Sequence, residues 1–509
     1  MKLPLTPLDF LARARRLFPD RVGVVQGDDL RMTYATFARR CDALAALLRD
    51  DVGIAPGDRV AFLAGNVHQL LEAYYGVLLA GGVLLPLNIR NSAPELAFCL
   101  EDASAVALFR DSSLPDPGFA GPSYVLGEDD WGEATLAIEP PPIDEDAPAE
   151  LFYTSGSTGR PKGALLSHRA LYLHAVHNAL TNGIGGDDVV LHTIPLFHVN
   201  GWGTAHFLTG LGGTHVMLPR FDAADVLRLV ERERVTRLFL VPTTARTLLD
   251  HPDIRARDLS SVVQISVGGA ASTPGLLADL EDAFGCEAIC GYGMTESSPT
   301  LTRSLDKPGE PKDRRRRATT GLPILGVDLR VFDDDDAEVP WDGATVGEIC
   351  ARSNHIMISY LDRPEETADD LRGGWLRTGD LAVVDPDGYV TIVDRRKDLI
   401  VSGGENVASV EVEAALCAHP AVREAAVVGM PDAKWGEVPV AFVTLQDGRA
   451  TTEAELIAWV QGRLARFKAP KQVVVLDELP KGGTGKIAKT ELRARLTAPA
   501  TDPGGGRRG

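Results

Sequence analysis

The chain has 509 residues, 44% hydrophobic and 24% charged, with 51 glycines and 33 prolines. At roughly 100–200 residues per domain, this length predicts several domains and a large core. The formal net charge of −19 excludes nucleic acid as the main partner, because phosphate-backbone binding needs a basic face, but it leaves room for one nucleotide in a local cationic pocket.

Met1 to Phe10 carries one lysine and no long apolar core, so no signal peptide is read there. Thr33 reads as an N-cap, followed by Phe37, Cys41, Leu44 and Leu48 at helical spacing. Pro56-Gly57-Asp58 is a turn, Val60 to Leu63 a buried strand, Ala73 to Leu79 helical, and Val83 to Leu85 another strand. The most apolar stretch, Tyr74 to Leu87, is broken by Gly81, Gly82 and Pro86. It falls short of the ~20 residues of a spanning helix, so the expectation is a cytoplasmic protein with no integral membrane segment. Strands at Val189–Thr193, Arg237–Val241 and Val262–Val267 continue the alternation to about residue 290. Such alternation predicts a mostly parallel α/β sheet covered on both faces.

Beyond about residue 320 the texture changes. Short strands at Leu329–Phe332, Gly347–Cys350, Ala382–Val384 and Tyr389–Val393 are separated by turns, and predict a small β subdomain. From Lys397 to Leu496, a helix (Val412–Leu416), strands (Ala425–Val428, Val440–Thr444), a helix (Glu453–Leu464) and a strand (Gln472–Leu476) predict a compact α+β unit. The tail from Thr497 to Gly509, rich in Pro, Gly and Arg, reads as disordered. Arg314 to Arg317 reads as a solvated loop and Asp333 to Asp336 as a charged hairpin turn. The six cysteines (Cys41, Cys99, Cys286, Cys290, Cys350, Cys417) form no CxxC pair or zinc pattern and read as buried reduced thiols.

One local signal stands out. Tyr153-Thr154-Ser155-Gly156-Ser157-Thr158-Gly159-Arg160-Pro161-Lys162-Gly163 follows the strand end Glu150-Leu151-Phe152. Small residues let backbone approach a ligand, hydroxyls and N–H groups surround phosphate oxygens, and Lys162 adds positive charge. It is not a Walker A loop, since Pro161 precedes the lysine and Gly163 follows it.

This loop resembles the phosphate loop of the adenylate-forming superfamily, which includes acyl-CoA synthetases, firefly luciferase and nonribosomal adenylation domains. Further motifs match in order up to about residue 495. The resemblance implies ATP as substrate, with Thr154, Ser155, Gly156, Ser157, Thr158, Gly159 and Lys162 around its phosphates. Ser266-Val267-Gly268-Gly269-Ala270 is similar to the adenine-pocket strand end, and Gly291-Tyr292-Gly293-Met294-Thr295-Glu296 to the adenine and magnesium motif. There Tyr292 would cover the purine, Thr295 reach the α-phosphate, and Glu296, with Thr154, hold Mg²⁺, a hard ion suited to oxygen ligands. Trp375 to Asp380 resembles the ribose motif, with Asp380 accepting from both ribose hydroxyls. Asp394-Arg395-Arg396-Lys397-Asp398 resembles the interdomain hinge, with Arg395 on the ribose or phosphate and Lys397 as pivot. Gly403, Gly404 and Glu405 resemble the loop that lines the pantetheine tunnel for CoA. Pro480 to Ile487 resembles the catalytic-lysine motif, with Gly482 where Ser or Thr is common; Lys486 would bridge carboxylate and α-phosphate oxygens.

The acyl pocket is read from Pro195-Leu196-Phe197-His198-Val199-Asn200-Gly201-Trp202. His198 stands where amino-acid-activating relatives carry an Asp, which implies a substrate without an α-ammonium group. Asn200, Trp202, Gly268, Gly293 and Met294 would complete the wall, and in some fatty-acid enzymes the indole at the Trp202 position gates the acyl tunnel. The resemblance thus implies a large α/β domain (1–394), a hinge (395–398) and a small mobile α+β domain (399–496). It implies an acid–thiol ligase, a monomer or homodimer, that makes acyl-AMP and then acyl-CoA. Lys486, Lys162, Thr158 and His198 are the expected catalytic residues. Two alternatives stay open: an acyl-AMP ligase that serves a carrier protein, and a nucleotide-binding protein without catalysis.

Overall fold

A computed structural model describes residues 3–155, 161–270, 272–402, 405–432, 434–481 and 487–497. Two large sheets and the helices between and outside them form the main body. In the first sheet the strands Glu287–Gly293, Gln264–Val267, Arg237–Leu240, Val189–Leu191, Thr214–Met217 and Val22–Gln26 lie side by side and parallel. Antiparallel strands Thr300–Arg303 and Leu322–Pro323 extend one edge, and Leu30–Thr33 the other. The second sheet runs Ser359–Tyr360, Pro161–Ser167, Pro148–Ser155, Val83–Pro86, Arg59–Leu63, Ala107–Arg110 and Ser123–Val125, parallel from Pro148–Ser155 onward.

The core explains the near-continuous apolar strands. Helices Tyr34–Leu47, His68–Ala80, His168–Asn182 and Thr204–Leu211 fill the space between the sheets, in one cluster with Val24, Phe62, Leu84, Phe109, Val190 and Phe239. Ala223–Glu233, Pro242–Leu249 and Pro274–Phe284 cover the far face of the first sheet, and Ala93–Asp102 that of the second. Thr33 caps its helix as expected, its side chain accepting from Thr36 N.

The β subdomain is a four-stranded antiparallel sheet of Val327–Phe332, Gly347–Ser353, Leu376–Val384 and Val390–Arg395. The Asp333–Asp336 run is the hairpin turn read from the sequence, with Asp333 accepting from Asp335 N and Ala337 N. The arginine run departs from expectation. Arg314–Arg317 is a short helix, and Arg317 is buried against Glu281, Glu287 and Asp306. Acidic residues far away in sequence supply its counter-charges, which no local pattern announces. The cysteines also depart in part: Cys417 is exposed and Cys286 half-buried, while the other four are buried.

The C-terminal unit is built on antiparallel strands Ile400–Ser402, Glu405–Val407, Val422–Asp432 and Gly436–Leu445, with Gln472–Val475 parallel to the last. Helices Ser409–Cys417 and Glu453–Gln461 pack on one face, and Leu492 of helix Lys489–Thr497 on the other. Among the described residues no helix is long and apolar enough to cross a membrane.

Candidate active site

The site lies where the ends of the two large sheets meet the β subdomain. Strands Pro148–Ser155 and Pro161–Ser167 form a hairpin, with Thr154 opposite Lys162. Gly156, Ser157, Thr158, Gly159 and Arg160 lie outside the described residues, as do Gly403, Gly404 and Lys486. Lys162 is mostly buried. Its ammonium pairs with Glu366 and sits 4.9 Å from the Tyr360 ring centroid. The Tyr360 hydroxyl in turn lies 2.9 Å from both Glu296 Oε1 and Asp370 Oδ2, so a single phenolic proton stands between two carboxylates. Burial, reinforced by the charge of Asp370, pushes Glu296 above its usual carboxylate range.

Glu296 is held there by its neighbours. Its carbonyl accepts from Met357 N at 2.8 Å, and His355 Nδ1 donates to the carbonyl of Ser297 at 2.9 Å. Gly293 must be glycine: a Cβ there would stand 1.8 Å from the carbonyl oxygen of Pro299. Thr295 is buried, and Met294 half-buried.

Tyr292, Asp380 and Arg395 form the next group. The Tyr292 hydroxyl donates to Asp380 Oδ2 at 2.6 Å, and Arg395 Nε lies 3.1 Å from Asp380 Oδ1, across a strand pair that sets Asp380 opposite Arg395. Burial, with the Asp380 charge added, pushes the Tyr292 phenol well above its ordinary range, so it remains a donor. Asp380 is buried while Arg395 is about half exposed.

Gly268, Gly269 and Ala270 follow the strand Gln264–Val267. Gly268 lies against the Trp202 indole, where an added Cβ would stand 2.9 Å from ring carbon Cη2. The indole also meets Phe239 edge-on at 6.4 Å. Trp202 belongs to an unusual turn in which Val199, Asn200, Gly201, Trp202 and Gly203 all have positive φ, from 45° to 87°. For L-residues the left-handed conformation costs roughly 1–2 kcal/mol each, and Val199 and Trp202 meet that cost without the local hydrogen bonding that eases it for Asn. His198 precedes the turn with extended backbone and is half-buried.

Asn200 does not line the pocket in this structure. It is fully buried beneath the turn, with Nδ2 donating to Glu150 Oε2 at 2.9 Å and Oδ1 accepting from Gly203 N at 2.6 Å. Lys397 is exposed in the turn between strands Val390–Arg395 and Ile400–Ser402, and Glu405 is exposed on its strand. Acidic residues flank that turn. Asp394 accepts from Ser409 N and Oγ, and Asp398 from Arg493, so both sides are tied to the C-terminal unit.

Sequence reasoning missed Tyr360, Glu366 and Asp370 around Lys162 and Glu296. It also missed Glu150, Asn178 and His206 beneath the Trp202 turn. The Pro at the start of helix Pro364–Asp370, followed by acidic Glu365 and Glu366 in the first turn, was a readable helix signal. Nothing local announced what that helix touches.

Comparison with known proteins fits this geometry. The model of the AMP-binding enzyme family matches residues 11–361, and that of the AMP-binding enzyme C-terminal domain matches 411–486. A feruloyl-CoA synthase of Amycolatopsis is 40% identical over 95% of this chain and 98% of its own. A 4-hydroxybutyrate–CoA ligase of Metallosphaera sedula is 36% identical over 97% and 95%. The structure of ATP-bound MatB from Rhodopseudomonas palustris superposes with a TM-score of 0.88 at 30% identity, covering 96% of this chain and 99% of that one.

Proposed function

The chain belongs to the family of AMP-binding enzymes, and from that premise we propose that it is an AMP-forming ligase joining a carboxylic acid to the thiol of coenzyme A. The carrying observation is the convergence of Lys162, Glu296 and the Tyr292–Asp380–Arg395 group on one corner. That set offers a cation for phosphates, a buried carboxylate for a hard metal ion and a buried carboxylate for vicinal hydroxyls.

In the first half-reaction a carboxylate oxygen of the acid attacks the α-phosphorus of ATP. The bond to the bridging oxygen breaks and pyrophosphate leaves. This chain's part is positioning and charge stabilisation. Asp380, fixed by Tyr292 and Arg395, receives the ribose hydroxyls. Thr154, Ser155 and Lys162, with the loop residues Gly156, Ser157, Thr158 and Gly159, surround the phosphates. Gly269, Ala270 and Gly291 border the adenine, and Thr295 the α-phosphate. Lys162 has to exchange Glu366 for phosphate oxygens, a trade between two anions that keeps the ammonium paired throughout.

A magnesium ion fits Glu296, a buried carboxylate that shares the Tyr360 hydroxyl with Asp370, so that two hard oxygen donors stand close together; Glu296 and Thr154 are the residues proposed to hold it. When bound, it would neutralise phosphate charge as pyrophosphate departs. Lys486 supplies positive charge at the carboxylate and α-phosphate.

In the second half-reaction the CoA sulfur attacks the acyl carbon, the acyl–phosphate oxygen bond breaks, AMP leaves, and the thiol proton passes to solvent. The C-terminal domain turns about Lys397 between the two steps, withdrawing Lys486 and presenting Gly403, Gly404 and Glu405 to the pantetheine arm. His198, in place of an acidic residue, supports an acid without an α-ammonium group. The relatives' acids, ferulate and 4-hydroxybutyrate, differ too much to name one for this chain. Use of ATP and CoA fits a cytoplasmic enzyme.

The test follows pyrophosphate, AMP and thioester together across chemically different carboxylates, with and without CoA. Acid-dependent pyrophosphate release and an acyl-CoA product are expected. Release that stops at acyl-AMP despite CoA would point to a carrier-protein acceptor. No release with any acid would overturn the ligase reading.

A further inference from the structure

We infer that Glu150 is a positioning residue for acid selection, acting through the strained turn that carries Trp202. This rests on the ligase reading above and adds to it a determinant outside the pocket. Glu150 is fully buried, a costly place for a carboxylate unless its oxygens are satisfied. Both are: Oε1 lies 2.7 Å from His206 Nε2 and Oε2 accepts from Asn200 Nδ2 at 2.9 Å. Tyr74 and Tyr75 set their ring edges against His206, which fixes the imidazole.

The turn above has five successive left-handed residues, an arrangement that persists only where the surroundings over-determine it. The restraints converge from beneath. Asn200 spans Glu150 and Gly203 N, Asn178 Nδ2 donates to the carbonyl of Trp202 at 3.1 Å, and the Thr204 hydroxyl donates to the carbonyl of Gly201 at 2.9 Å. The Asn200 tether reaches outside the helical layer. It ends on strand Pro148–Ser155, the strand that leads directly into the phosphate loop. With the tether intact the indole stays seated against Gly268. Without it, the strain is relieved by letting the turn unwind, and the indole leaves. The space beside Gly268 then becomes larger and less defined, so small acids lose their wall and bulky acids gain room.

Glu150→Gln keeps the shape and removes the charge; Asn200→Ala leaves Glu150 paired with His206 and removes the tether. In ligand-free protein, acrylamide quenching of wild type minus Trp202→Phe isolates the Trp202 signal. We expect it shielded in the wild-type background and exposed in both tether variants. In turnover, we expect kcat/KM for a short acid over a bulky acid to fall about tenfold in both, with the KM for ATP within about twofold. Trp202→Ala should shift the same ratio, and adding Glu150→Gln to it should shift it little further. A shielded Trp202 in the folded variants would overturn the inference, as would an unchanged acid ratio or a uniform fall in kcat with every acid. If Glu150→Gln fails to fold, Asn200→Ala decides. If wild type activates no acid, the ligase reading has failed, and the quenching arm still decides whether Glu150 holds the turn.

Discussion

At the nucleotide corner, side chains do the holding: Tyr292 and Arg395 each bind Asp380 directly, and Lys162, Tyr360 and Glu296 form a relay of charge and hydroxyl. At the acyl corner the backbone does it, a left-handed turn pressing one indole against a glycine and restrained from beneath by buried amides and a carboxylate. The nucleotide is the same molecule at every turnover, so fixed charges in fixed places suffice. An acid pocket has to discriminate by shape, and shape is set by where backbone goes and what fills the remaining space.

If that division is real, each corner can be perturbed alone. Asp380→Asn should have the largest effect, because it removes the charge that orders Arg395 and receives the ribose. We expect the KM for ATP to rise about 10- to 100-fold, the range of a lost charge-assisted hydrogen bond or two, and the KM for the acid to stay nearly constant. Gly268→Ala should do the reverse on a smaller scale. Its Cβ would meet the Trp202 ring at 2.9 Å and the carbonyl of Gly291 at 3.1 Å, so the indole must shift. We expect about a fivefold to tenfold rise in the KM for the acid, with ATP little affected. Initial-rate kinetics with each substrate varied in turn reads both; a variant that moved both constants equally would erase the distinction.

The same division explains what was legible in the sequence. The nucleotide corner is assembled from short contiguous runs, so residue type announced Lys162, and the resemblance of whole motifs to those of the adenylate-forming superfamily pointed to Tyr292, Glu296, Asp380 and Arg395 before any fold was known. Strand and helix placement was equally local, and Thr33 and the Asp333–Asp336 turn came out as expected. The acyl corner draws Glu150, Asn178, Asn200, Trp202 and Gly268 from separate segments, and its decisive property, five positive φ values in a row, belongs to the backbone. Asn200 illustrates the gap. Its position in a motif suggested a pocket residue, whereas its side chain faces the buried Glu150. Arg314–Arg317 failed for a related reason, since partners such as Glu281 and Asp306 fold in from other elements.

The smallest effect expected tests whether the nucleotide corner carries a standing cost for its charge. Glu296 has a folded-state pKa above its ordinary value of 4.5, because burial and Asp370 disfavour its ionised form. Below the unfolded value both states hold the proton and the site costs nothing. As pH rises through the window between the two values, the native state binds more protons than the unfolded one, so stability falls, and the loss persists at higher pH. Glu296→Gln has no charge to bury. Its Tm should therefore match wild type near pH 4 and exceed it by about 2 °C at pH 8, even as ligase activity drops. Calorimetry at the two pH values reads the difference. An equal Tm at both would mean that Tyr360 already compensates the carboxylate in full, and that the polar corner, like the strained one, is balanced within the protein before any ligand arrives.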